Sequence, residues 1–232
     1  MIRLDSGSVA ATIDIDAPGQ GIACGGDQLL GLDLKSRCTA SDHWMRGDDI
    51  IAVYEPDDPR HLRATALWRS RSLPGVAAWE LIASATTSRT QSDASLAVVS
   101  EIATAAVIWG CASQRSPSSP GSRPVLPGEA TAAGIQWHEV EPPAIDCLLV
   151  RRPAAAGGSV FVAVHPADSR GIVVRSENDR IRVACWLFSA AAEKGVLFRG
   201  RAVAAVGPTA GDTAWAERLW AEFVAAPPML TA

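Results

Sequence analysis

Between residues 159 and 206, apolar and polar positions alternate in four runs separated by turn residues. This pattern predicts four consecutive strands, a central meander. Val160, Val162 and Val164 alternate with Phe161, Ala163 and His165, so the first strand is apolar on both faces, as in a strand covered on both sides. His165-Pro166 ends it, because proline brings no N–H to the ladder. Asp168, Ser169 and Gly171 supply turn chemistry, and Ile172 to Arg175 forms a short second strand. The third strand, Arg180 to Phe188, sets Ile181, Val183, Cys185 and Leu187 on one face and Arg182, Ala184 and Trp186 on the other. Its place in the meander assigns Trp186 to the interior. Ser189 to Gly195 predicts one helical turn closed by glycine. In the fourth strand, Val196 to Val206, Arg199 and Arg201 stand opposite the apolar face and read as a solvated pair.

The same period extends upstream. Val9, Ala11, Ile13 and Ile15 share one strand face, and Gln28 to Leu34 is a further strand. Ser41 to Asp49 is polar, with Trp44 and Arg46 inside it. Ile50 to Glu55 and His61 to Ser70 predict a hairpin around the turn 56–60. Val76 to Thr87 is the next strand, and another begins at Leu96 after a turn at Gln91-Ser92-Asp93. The pattern over 96–109 fits strand or helix. Proline, serine and glycine dominate 112–130, which predicts a flexible loop, followed by strands at Ile135 to Val140 and Ile145 to Arg151. A helix is predicted near 213–226, capped by Asp212 or Thr213, with Trp215, Ala216, Leu219, Trp220, Phe223 and Val224 on one stripe. The fold class expected is mainly β. A large, supersandwich-like antiparallel β-sandwich would form one domain over 1–232, with a C-terminal amphipathic helix laid across a sheet or over its edge.

A net charge of −4 over 232 residues argues against a nucleic-acid partner. Cys24, Cys38, Cys111, Cys147 and Cys185 have no metal-ligand spacing and read as small buried hydrophobes in a reducing compartment. No apolar run reaches membrane-spanning length and residues 1–16 lack a signal-peptide pattern, so no membrane is expected and the cytoplasm is the expected location.

The segments RGDDIIAVYEPDD at 46–58, LPGE at 126–129, VHPAD at 164–168 and AEKGVLFRGRAV at 192–203 give the chain its resemblances, together with the terminal helix. On their HPxD and EKGVxxRxRV patterns it resembles a family of uncharacterised bacterial proteins, which implies no catalytic residue. The abundance of strands with few helices also looks like the galactose-mutarotase type of β-sandwich. That resemblance implies a histidine and a glutamate as acid and base on a concave face, and no specific motif of this kind is matched here.

Candidate chemistry is sparse. The four histidines, His43, His61, His138 and His165, lack metal-binding spacing, and no metal or cofactor is expected. Trp137-His138-Glu139 is the most chemically loaded tripeptide, although His138 would point away from its neighbours on a strand. His165, Asp168 and Arg170 share one turn after a buried strand, where a loop on a rigid scaffold can hold a ligand. The same groups could instead close the turn internally. Trp44, Trp137 and Trp109 remain as stacking platforms. The expected ligand-binding residues are therefore His165, Asp168, Arg170, Trp137 and His138. The expected function is a non-catalytic binding or scaffold module for a carbohydrate-like or protein partner. The alternative is a sugar-modifying enzyme of mutarotase-like type.

Overall fold

The computed structural model describes residues 1–35, 38–58, 61–103, 107–111, 130–131, 147–152, 157–177 and 180–227. Along the chain the strands are β1 (Ile2–Arg3), β2 (Thr12–Ile13), β3 (Ile22–Cys24), β4 (Asp27–Asp33), β5 (Ala40–Arg46), β6 (Asp49–Tyr54), β7 (Arg63–Leu73), β8 (Val76–Thr86) and β9 (Gln91–Ala103). They continue with β10 (Val107–Cys111), β11 (Ala130–Thr131), β12 (Cys147–Arg151), β13 (Ser159–Val164), β14 (Ile172–Glu177), β15 (Arg180–Glu193) and β16 (Phe198–Gly207). A 3-10 turn, Pro18–Gln20, precedes β3, and one helix, α1 (Asp212–Ala225), follows β16. The predicted strand 135–140, most of the predicted loop 112–130, and Trp137 and His138 lie outside the described residues.

Two antiparallel sheets form the expected β-sandwich. One has the order β1-β2-β3-β4-β9-β15-β14, the other β11-β10-β12-β13-β16-β8-β7-β6-β5. Their inner faces meet in a single large apolar cluster that includes Ile13, Leu29, Leu32, Trp68, Trp79, Val98, Val162, Val183 and Ala204. Three large side chains carry polar atoms into this core, and each finds a backbone acceptor on the facing layer. Trp68 Nε1 donates to Leu30 O at 3.0 Å, Trp79 Nε1 to Leu4 O at 2.8 Å, and Tyr54 Oη to Ile15 O at 3.0 Å. Their burial therefore leaves no orphaned donor and pins one sheet to the other.

The helix lies on the outer face of the nine-stranded sheet. Trp215, Ala216, Leu219, Trp220 and Phe223 are buried there against Phe161, Ala163, Val203 and Ala205. This second cluster is why β13 is apolar on both faces: its valines enter the inter-sheet core while Phe161 and Ala163 meet the helix. Val224, assigned to the same stripe, is 38 % exposed. No side-chain cap opens the helix: Gly211, with φ 71°, occupies the N-cap. Asp212, one of the two expected caps, sends its carboxylate to Arg151 and Ser159 of the sheet instead.

The 159–206 region is four strands but not one meander. β13 and β16 pair with each other in the nine-stranded sheet, whereas β14 and β15 pair in the other. The turn after His165 and the turn before Phe198 each cross between layers. Residues 189–193 continue β15 rather than forming a helical turn, because they pair with Gln91 to Ser95 of β9. The expected turn at Gln91 to Asp93 is strand for the same reason. Ser41 to Arg46, a polar stretch without clear alternation, forms the edge strand β5 by pairing with β6. Arg201, expected in solvent, is 4 % exposed. Its Nη1 donates to Ala226 O and Pro227 O at 3.2 and 3.3 Å, and its guanidinium lies 5.4 Å from the Phe223 ring centroid. Cys24, Cys38, Cys147 and Cys185 are buried.

Candidate ligand-binding cleft

The turn carrying His165, Asp168 and Arg170 is divided between the two sheets. His165 faces the helix: its ring meets Phe223 edge-on with centroids 5.7 Å apart, and its Nε2 is 3.4 Å from Val224 O. Asp168 Oδ2 accepts the N–H of Arg201 on β16 at 3.0 Å. His165 and Asp168 are 4.0 Å apart, too far for a hydrogen bond, so they do not form an acid–base couple. Arg170 is exposed on the other side of the crossing. Its backbone N–H donates to Trp186 O at 2.8 Å, and Gly171 O accepts from Trp186 N–H at 2.9 Å. The turn thus points away from His165 and toward Trp186.

Trp186 is half-buried on the outer face of the seven-stranded sheet, not in the interior. The alternation on β15 separates its two faces correctly, but the inner one is the face of Ile181, Val183 and Cys185. Register assembles the outer face into three rows. Gln28, Glu101 and Arg182 are neighbours across β4, β9 and β15; Gly31, Val99 and Ala184 form the next row; Asp33, Ala97 and Trp186 form the third. The middle row is small and apolar, and charged or aromatic residues flank it.

A cleft of about 540 Å³ opens on this face, with Val99 on its floor and Ala17 to Gln20, Asp33, Lys35 and Arg182 around it. Gly31 creates one wall. A side chain there would put Cβ 2.3 Å from Gly19 O, so only glycine lets the Pro18–Gln20 turn settle against β4. Among the described residues, the two non-glycine residues with positive φ, Leu30 (55°) and Lys35 (54°), bracket this stretch of β4. Leu30 is held there by two bonds: its N–H to Ser100 Oγ at 3.1 Å and its carbonyl to Trp68. Lys35 N–H is held by Asp33 Oδ1 at 3.1 Å. Such strained positions persist only where surrounding contacts enforce them, and they cluster at binding sites.

Charge alternates around the cleft. Arg182 stands between two carboxylates, with Nη1 3.0 Å from Glu101 Oε1 and Nη2 4.0 Å from Asp33 Oδ2. Because Arg182 and Asp33 occupy the two outer rows, their contact passes above Val99. Arg180 Nε is 3.9 Å from the other Glu101 oxygen. Lys35 Nζ lies 5.4 Å from the Trp186 ring centroid. The side chains of Asp33, Glu101, Arg180 and Arg182 are 33–40 % exposed, and ion pairs this open to water add little to stability. They are better placed to serve a ligand than the fold. The donors of Arg182 and Lys35 match hydroxyl oxygens, the carboxylates match hydroxyl protons, and an indole beside them matches the C–H face of a ring. The sequence offered no local signal for this set, because its members come from three distant stretches of the chain and meet only through strand register.

Among the described residues no group of three or more histidine, cysteine, aspartate or glutamate side chains is placed to hold a metal ion. No helix among them is long and apolar enough to cross a membrane.

No family model matches the chain, and no curated protein matches it by sequence. Among solved structures it is similar to one from Escherichia coli K12 described as a "Putative aldose 1-epimerase", with a TM-score of 0.52 and 10 % identity. The match covers 89 % of this chain and 98 % of that one. At this identity the likeness concerns the fold.

Proposed function

We propose that the chain is a binding module whose cleft on the seven-stranded sheet takes a carbohydrate-like ligand. The observation that carries this reading is the Arg182 guanidinium set between the half-exposed carboxylates of Asp33 and Glu101, above an apolar floor, with Trp186 in the row of Asp33 across the sheet. A polyol needs donors, acceptors and a flat apolar surface, and this face presents all three. Arg170 belongs to the same proposal as an exposed donor next to the Trp186 backbone, while His165 and Asp168 position the turn that carries it. The burial of Cys24, Cys38, Cys147 and Cys185 as small hydrophobes fits a reducing setting such as the cytoplasm.

The test is a thermal-shift and calorimetric screen of neutral aldoses, uronic acids and polyols on wild type, Trp186→Ala and Arg182→Gln. A ligand that stabilises wild type and is lost by both variants supports the proposal. Equal stabilisation of all three proteins refutes it.

A second reading, a sugar-modifying enzyme, is favoured by the likeness to the described epimerase fold and by the two carboxylates flanking one guanidinium. It requires one of these carboxylates to move a proton. Exchange between the α and β anomers of an aldose, followed by NMR, separates the readings: acceleration lost in Glu101→Gln or Asp33→Asn supports catalysis, and a rate equal to buffer supports binding alone.

A further inference from the structure

Among the described residues the nine-stranded sheet ends on β5, and Ser41 to Arg46 of that strand are all exposed. Two of them are large and apolar: Trp44 is 46 % and Met45 56 % exposed. Register assigns the faces. Asp42, Trp44 and Arg46 stand opposite Val53, Ile51 and Asp49 of β6, and Ile51 packs with Leu67 and Ile82 on the outer face. Trp44 thus carries that apolar row to the rim of the sheet, with Asp42 on one side of it and Arg46 on the other. His43 and Met45 take the opposite face. Turn geometry assigns the peptide groups. Gly47, with φ 61°, opens the two-residue turn Gly47-Asp48, so Arg46 and Asp49 are the hydrogen-bonded pair that closes the hairpin. Alternation then bonds Trp44 and Asp42 to β6 as well and turns the N–H and C=O of His43 and Met45 to the open side. The His43 N–H agrees: it donates to the adjacent Asp42 Oδ1 at 2.8 Å. An open strand edge with apolar side chains is a template for pairing with another chain.

We propose that β5 pairs antiparallel with β5 of a second copy of this chain, across a two-fold axis at Trp44. The order of side chains selects that occupant. With the two Trp44 residues opposite each other, Asp42 stands opposite Arg46 of the second copy and Arg46 opposite its Asp42, so both cross-strand pairs carry opposite charges. The same register sets His43 opposite Met45, the residues whose peptide groups face outward, and lets them exchange both backbone bonds. The tryptophans then form a non-hydrogen-bonded pair, the closer kind, and join the Ile51, Leu67 and Ile82 rows of the two copies into one. Sliding the register by two residues sets Trp44 against Asp42 or Arg46 and breaks the charge pairs. A parallel alignment in register would set Asp42 beside Asp42. The irregularity between Ala40 and Asp42 ends regular pairing, so the interface is short and association in the micromolar range is expected. It uses none of the residues of the sugar-binding proposal and stands or falls separately.

The test is sedimentation velocity of the full chain over a range from about 1 to about 300 µM. The mass should rise with concentration from 24.3 kDa toward twice that value. Asp42→Arg and Arg46→Glu, each at an exposed position, turn the opposed pairs into like-charge pairs and should each weaken self-association by about tenfold or more. Mixed in equal amounts, the two variants restore opposite charges at both pairs and should form a heterodimer with wild-type affinity. Circular dichroism of each variant matching wild type excludes unfolding as the cause of the loss. A wild type that stays monomeric throughout overturns the proposal and leaves the edge to a different chain. Self-association that neither substitution weakens, or folded variants that fail to associate when mixed, overturns it too.

Discussion

Replacing Asp212 by asparagine should weaken the attachment of the helix to the sheet by a calculable amount. The wild-type carboxylate is 2 % exposed and accepts four hydrogen bonds: from Arg151 Nε at 2.7 Å, Arg151 Nη2 at 2.9 Å, Ser159 Oγ at 2.8 Å and Thr213 N–H at 2.8 Å. It thereby joins β12, β13 and the first turn of α1, where the helix dipole also favours a negative charge. Asparagine keeps one acceptor but presents an NH₂ group to a donor. Removing one member of a fully buried ion pair costs about 3–5 kcal/mol. Arg151 is 26 % exposed and can recover some hydration, so about 2–3 kcal/mol is expected. For a chain of this size that lowers the melting midpoint by roughly 4–12 °C. Burial pushes the Asp212 carboxyl upward, but the bonds from Arg151, Ser159 and Thr213 together outweigh it and hold the group below its ordinary value of 3.8. A carboxyl lowered on folding stabilises the protein above its unfolded-state value and loses that contribution as pH falls through the folded one. Urea midpoints of the two proteins should therefore differ fully at about pH 7 and converge as the pH drops below 3.8. Equal midpoints at neutral pH, or a gap that stays constant into acid, would refute the reasoning.

Further substitutions probe other parts of the fold. Phe223→Asp or Leu219→Asp places a charge where the wild-type side chains are 0 % and 1 % exposed, and should cost about 3–5 kcal/mol in chemical denaturation. Gly31→Val forces Cβ against Gly19 O and should lower stability by about 2 kcal/mol or more while opening the cleft wall, seen as faster hydrogen exchange at Gly21. Arg201→Met keeps the aliphatic stem but removes both bonds to the chain after α1, so exchange protection at Ala226 should fall by roughly one to two powers of ten.

The hairpin β6–β7, strand β8 and the buried stripe of α1 were legible because each is encoded by its own local period and turn residues. What local period does not encode is which layer a strand joins. β13 and β14 are consecutive, with turn chemistry between them, yet they belong to different sheets because each has an inner apolar face to bury in the shared core. The same ambiguity misplaced two side chains. Alternation alone places Trp186 inward, whereas its face of β15 looks outward, and it places Arg201 in solvent, whereas the helix end folds over it. β5 was missed because an edge strand exposed on both sides needs no hydrophobic alternation. For the candidate site, Trp137 and His138 lie outside the described residues and Arg170 meets the Trp186 backbone; Asp33, Glu101 and Arg182 come together through pairings of β4, β9 and β15 that no local spacing announces.

The most direct test of the sugar-binding account is an amide and indole NMR titration of the full chain with the best ligand of the sugar screen. The account predicts saturable shifts confined to Gly31, Asp33, Val99, Arg182, Ala184 and the Trp186 indole, with residues around His165 and α1 unmoved. Shifts centred instead on the outer face of the nine-stranded sheet, around the exposed Trp44, would contradict it.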